Sequence, residues 1–192
     1  MRYADYCCIY VRSERAGRRV LESVSRFLAR KLKLQVNKAK SNVGKPRDCS
    51  LLGFGIGKGG RALVSEKSIR RFKARVRELT GRHRGCSFQR VIRELSECLR
   101  GWRGYFGYAY SKQIFRELCA WVCRRLRCYL WAQWGRRGYR ELRKRGVSRD
   151  LAWNTSKSAH RPWRLSRSPA LAFALPTRTF AELGLPLLRN PV

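Results

Sequence analysis

Acidic residues are scarce in this chain: 12 Asp and Glu stand against 45 Lys and Arg, a formal charge of +33 over 192 residues. Such self-repulsion calls for a polyanionic partner. Histidine is scarcer still. His83 and His160 are the only two, and neither is placed as a zinc partner. None of the eight cysteines forms a Cys-x-x-Cys pair. Cys119 and Cys123 share a helical face with Cys128 slightly beyond, but a fourth ligand is missing, so reduced thiols acting as small hydrophobes are expected. No apolar run approaches the ~18 residues of a membrane-spanning helix, and no secretory signal opens the chain. No membrane partner is expected, and a cytoplasmic, nucleoid-associated or ribonucleoprotein location is the default. A Gly-x-x-x-x-Gly-Lys loop is missing, as is any Ser-His-Asp pattern.

What remains is enough for a folded core: 44% of residues are hydrophobic and 11% aromatic, which argues against wholesale disorder. The length fits one large domain or two small ones. Charge is unevenly spread. Residues 1–57 hold 13 basic and 4 acidic residues, and residues 58–192 hold the other 32 and 8. Arg outnumbers Lys in the later part. A planar guanidinium suits phosphate and base stacking, although a GC-rich genome would also favour Arg over Lys.

Apolar spacing divides the chain near Val64. Before it, Tyr3-Ala4-Asp5 sits between two short strand-like runs. Ser13 to Lys33 has helical periodicity through Val20, Leu21, Val24, Phe27, Leu28 and Leu32. Leu34-Gln35-Val36-Asn37 alternates as a strand, Leu51 to Ile56 reads as another, and Ala62-Leu63-Val64 returns after a Lys58–Arg61 turn. After Ser65 the period is helical throughout. The expected inward stripes are Ile69, Phe72, Val76 and Leu79; Val91, Ile92, Leu95, Leu99 and Trp102; and Ile114 to Leu130. Smaller helices follow at Tyr139–Arg145 and Arg149–Ser156. Pro162, Pro169, Pro176, Pro186 and Pro191 reduce the remainder to turns and brief helices laid over the bundle. The fold class is α+β: a small antiparallel sheet with one helix over 1–64, then a mainly α-helical bundle over 65–192.

Five blocks, in order, carry a family resemblance. They are Tyr3-Ala4-Asp5; Leu32-x-Leu34-x-Val36-Asn37-x-x-Lys40-Ser41; Leu52-Gly53-Phe54-x-Ile56; Leu99-Arg100-Gly101-Trp102-Arg103-Gly104-Tyr105-Phe106; and Trp121-x-x-Arg124-Arg125-Leu126-Arg127 with Trp131-x-Gln133-Trp134. Trp163-Arg164-x-Ser166 extends the last. Together they resemble the group II intron-encoded reverse transcriptase/maturase family. The resemblance implies the end of a polymerase palm over 1–64 and the maturase-specific thumb, domain X, over 65–192.

Asp5 then occupies the place of a metal-binding carboxylate in the catalytic hairpin. Nucleotide addition needs two divalent metals held by hard oxygen ligands. The resemblance puts the other palm carboxylate before Met1, and Tyr6 stands where the motif has its second acid. The expectation is therefore an N-terminally truncated protein, inactive alone, with no cofactor of its own and Mg2+ only where a complete site is assembled. A separate fingers/palm polypeptide would restore a split RNA-directed DNA polymerase; a non-functional relic of a mobile element is the other alternative. No endonuclease motif follows domain X, and a DNA target is secondary.

Lys40 belongs either near a primer or on a solvated turn. Gly53 and Gly55 permit close backbone approach or mark a bent strand. The aromatics at Trp102, Tyr105, Phe106 and Trp121 suit base stacking or core, and their helical spacing favours core. The expected RNA contacts, besides Lys40, are Arg70, Arg71, Lys73 and Arg77; Arg100 and Arg103; Arg124, Arg125 and Arg127 as a phosphate ridge; Arg136 and Arg137; and Arg164. The implied partner is group II intron RNA, bound to assist its folding and splicing.

Overall fold

Short strands, one amphipathic helix and a long run of helices appear in the order that the periodicity sets out, in a computed structural model describing residues 2–3, 6–45 and 49–188. Two compact units divide at Ser65: Met1–Ser65 and Glu66–Val192.

In the first unit, β1 (Arg2–Tyr3) pairs antiparallel with β2 (Tyr6–Cys7), with Tyr3 opposite Tyr6. Ala4 and Asp5, and with them the proposed carboxylate site, lie outside the described residues. Helix α1 (Glu14–Lys31) starts where Ser13 Oγ accepts from Ala16 N at 3.2 Å. The i,i+4 pairs Arg18–Glu14 and Arg26–Glu22, each at 2.6 Å, lie on its polar side. None of its residues is fully buried, and Phe27 is 56% exposed.

The strand expected at Leu34–Asn37 does not form. Lys33 turns the chain with φ 54°, Leu34 N donates to Leu28 O at 3.1 Å, and Asn37 Oδ1 accepts from the backbone of Ala39 and Lys40. Local capping thus takes these backbone groups before any strand pairing. The expected strand over Leu51–Ile56 is two strands. β3 (Ser50–Leu51) and β4 (Phe54–Ile56) are joined by Leu52 and Gly53 at φ 53° and 81°, a two-residue hairpin of the kind that needs positive φ at both positions. β5 (Ala62–Val64) completes a three-stranded antiparallel sheet after a 3-10 turn at Lys58–Gly60.

The second unit is helical: α2 (Glu66–Leu79), α3 (Phe88–Phe106), α4 (Lys112–Trp134), α5 (Gly138–Lys144), α6 (Arg149–Lys157), α7 (Pro162–Leu165), α8 (Pro169–Ala174) and α9 (Thr177–Glu182). Ser87 caps α3 through Arg90 N, and Ser168 caps α8 through Leu171 N with Pro169 in the first turn. Helix α4 buries 11 of its 23 residues, Phe115 to Trp134, and is the main apolar contributor to the bundle. Phe115, Leu118, Leu126 and Tyr129 of α4 are all buried, as are Val76 of α2 and Val91, Leu95 and Leu99 of α3. Trp102 joins this core as expected, with ring centroids 4.6 Å from Phe72, 5.0 Å from Phe106 and 5.4 Å from Phe115.

The later segments complete the same core. Leu171, Leu175, Phe180, Leu185 and Leu188 are buried, Phe180 completely. Ser96 Oγ donates to Gly184 O at 3.0 Å and Arg103 to Leu187 O at 3.2 Å, tying α3 to the last described residues.

Candidate nucleic-acid interface

Along α2, Arg70, Lys73 and Arg77 recur at i, i+3 and i+7 and therefore share one flank. Along α4, Trp121, Arg124, Arg125 and Cys128 do the same. The two flanks meet. Lys73 Nζ and the Arg77 guanidinium lie 5.9 and 5.6 Å from the Trp121 ring centroid. From α7, Trp163 takes the Arg124 guanidinium at 3.7 Å and that of Arg125 at 5.8 Å. The result is a strip of alternating cations and indoles across α2, α4 and α7.

Two of these arginines also hold the fold. Arg125 Nε donates to Thr80 Oγ1 at 2.9 Å, and its Nη2 to the carbonyls of Arg77 and Thr80 at 3.3 and 3.2 Å. Those are orphan acceptors at the C-terminus of α2, where a cation is favoured. Arg124 Nε donates to Ser166 Oγ and its Nη2 to Trp163 O, at 3.2 and 3.1 Å. Arg127 points elsewhere, donating to Leu175 O at 2.9 Å after α8. The three consecutive-looking arginines of α4 therefore do not form one row. They fan out to three different segments.

The charge of the strip is not offset by carboxylates. Among the described ion pairs none involves Arg70, Lys73, Arg77, Arg82, Arg124, Arg125, Arg164 or Arg167. Burial lowers the Arg124 pKa, and Arg167 pushes it the same way. Burial likewise lowers Arg125, helped by Arg77 and Arg82. Glu117, one turn before Trp121, accepts instead from Gln113 Nε2 at 2.9 Å. By contrast, Glu94 takes both Arg84 and Arg90, whose hydrogen bonds hold its carboxyl below the usual carboxylate range.

Residues 69–147 match the family model described as group II intron, maturase-specific domain. The helical unit carries a maturase-specific domain. A role in group II intron splicing goes with it. No curated protein matches the chain. The matched stretch of the maturase domain holds α3, α4, α5 and most of α2; α7, which supplies Trp163, lies beyond it.

The other expected contacts are dispersed. Arg71 is exposed on the back of α2. Arg100 is exposed on α3, while Arg103 is tied to Leu187. Arg136 and Arg137 are exposed in the 3-10 turn Gly135–Arg137 that follows α4, and Arg164 is exposed on α7. Lys40 is exposed on the Asn37 turn of the first unit. Periodicity alone did not single out Trp163, Arg82, Arg167 or Thr80. Only the block Trp163-Arg164-x-Ser166 gave a signal, as an extension of the family resemblance. Among the described residues no group of His, Cys, Asp or Glu suited to hold a metal ion is brought together, and Asp5 lies outside them. No described helix is long and apolar enough to cross a membrane.

Proposed function

We propose that this protein binds group II intron RNA through the α2–α4–α7 strip and steadies the folded RNA for splicing, with the RNA supplying the catalysis. The observation that carries this reading is the crowding of cations without carboxylate partners beside Trp121 and Trp163. Cations gathered without carboxylate partners repel one another, a polyanion relieves that repulsion, and counterion release then drives binding. Arg70, Lys73, Arg77, Arg164 and Arg167 supply the phosphate contacts. Arg124 and Arg125 hold the strip together and add to its field. An irregular RNA surface suits this arrangement better than a regular duplex, because the cations sit on three helices rather than along one.

The test is binding of the purified chain to a folded group II intron RNA over a salt series, with unrelated structured RNA as competitor. Selective binding that survives moderate salt is the expected result. Equal, salt-labile binding to every RNA would refute it. Lys73→Ala with Arg77→Ala should flatten the log–log salt slope by about one unit per lost phosphate contact.

A further inference from the structure

Away from the strip, the corner between α3 and α4 exposes aromatic surface. Tyr105 is 51% exposed, Tyr108 94% and Tyr110 58%, within six residues of one another. Their neighbours Phe106 and Ala109 are buried and anchor the corner. Ala109 N donates to Phe106 O at 2.9 Å and Ser111 N to Ala109 O at 2.8 Å, so the tyrosines stand on a turned, hydrogen-bonded backbone. The Tyr105 ring meets Phe106 edge-on, with centroids 4.7 Å apart. Stability within the chain does not explain a phenol ring as open to water as Tyr108.

The surroundings are basic and bare. Arg100 lies with Glu97 on the outward side of α3, and Lys112 and Arg116 are exposed as α4 begins, with Glu117 engaged by Gln113. On the same outward side, a Cβ at Gly101 or Gly104 would meet nothing within 4 Å. The helix backbone there is open to close approach from outside.

Resting on the RNA-binding reading above, we propose that the α3–α4 corner is a stacking platform for unpaired nucleobases, distinct from the strip that takes phosphates. Tyr108 carries the stack, Tyr105 and Tyr110 flank it, and Arg100 and Lys112 hold the adjoining phosphates. Aromatic side chains accept any base by its π face, so the platform prefers unpaired over paired nucleotides without reading sequence. The strong positive charge selects a polyanion over an apolar protein partner for this surface.

The experiment uses the full chain and two hairpin RNAs, one with a 2-aminopurine in an unpaired bulge and one with the same position paired. Wild type should bind the bulged probe more tightly and change its 2-aminopurine emission. Tyr108→Ala should lose about fivefold or more in affinity for the bulged probe, keep its affinity for the paired one, and abolish the emission change. Tyr108→Phe should retain all three properties. Unchanged melting of Tyr108→Ala would show that the loss is not one of folding. Equal affinity for the two probes, or a Tyr108→Ala variant identical to wild type, would overturn the platform while leaving RNA binding by the strip intact. Failure of wild type to bind either probe or the intron RNA would instead overturn the reading on which the platform rests.

Discussion

Replacing Arg125 by Met tests whether the arginines of α4 act on the fold or on the ligand. The side chain keeps its apolar stem but loses three donations, to Thr80 Oγ1 at 2.9 Å and to the carbonyls of Thr80 and Arg77 at 3.2 and 3.3 Å. Nη2 is shared between two long acceptors, so these count as roughly two effective hydrogen bonds from a charged donor, each worth about 1.5–3 kcal/mol. The favourable placement of a cation at the end of α2 adds about 0.3–1 kcal/mol. Against this stands the cost of burying the guanidinium, visible in its lowered pKa. The net loss should be about 2–4 kcal/mol, which for a unit of this size lowers the melting temperature by about 6–20 °C. Arg125→Lys restores the charge but not the fork, and should fall about halfway. The assay is thermal unfolding followed by far-UV circular dichroism, with exposed Arg70→Ala as a control that should melt within ~1–2 °C of wild type. If Arg125→Met melts like wild type yet binds intron RNA poorly, the tie to α2 is unimportant and Arg125 is a phosphate contact after all.

Other perturbations follow from the same geometry. Phe180→Ala, at a fully buried position beyond the family match, should cost about 3–5 kcal/mol in chemical denaturation; a change below ~1 kcal/mol would mean that α9 is dispensable. Gly101→Ala and Gly104→Ala, where a Cβ meets open space inside α3, should each stabilise the unit by about 0.5–1 kcal/mol, seen as a higher melting temperature. Glu94 and Glu141 have folded pKa values held below the usual carboxylate range by arginine partners, so their contribution is present at neutral pH and lost as pH falls through those lowered values. Glu94→Gln should therefore flatten the acid limb of a melting-temperature profile, and an unchanged limb would count against the pairing. Thiol titration should modify exposed Cys7 promptly but Cys123 and Cys128 only on unfolding, because both are buried, a Cys119 hydrogen bond and then burial raising the Cys123 pKa and burial raising that of Cys128.

The long helices were legible because their signals are local and redundant. Ser87 before an apolar stripe, or Gly81 after one, marks an end wherever the helix packs, and α2, α3 and α4 lie where the period puts them. The brief helices at Pro162 and Pro169 also follow from chemistry within a few residues. Strands were read less well. Leu52 is a poor turn residue by type, yet it sits at φ 53° and splits one expected strand into a hairpin. Leu34 to Asn37 alternates correctly but has no pairing partner, and the side chain of Asn37 takes the local backbone instead. The site was legible as a count of charges, not as a geometry. Nothing near Arg124, Arg125 and Arg127 announces that their acceptors are the ends of other helices, because those acceptors, hydroxyls of Thr80 and Ser166 as well as backbone carbonyls, are about 40 to 50 residues away. Sequence reveals a cation; only the fold decides which way its donors face.

Those separations bear on the order in which the protein is made. Arg125 finds its acceptors in α2, already synthesised, but Arg124 and Arg127 look forward to Trp163, Ser166 and Leu175. A nascent chain that has reached only α5 carries α4 with one arginine docked, two undocked, and the surface that later faces Leu171 and Phe180 still bare. Such an intermediate is basic, sticky and unselective. Docking of α7 to α9 gives those two arginines their acceptors and covers the apolar side, so the step that finishes the core also lessens the sticky surface open to nearby ribosomal or messenger RNA. Selectivity, on this view, is acquired late in biosynthesis, when residues 163–188 fold back onto the helix made before them.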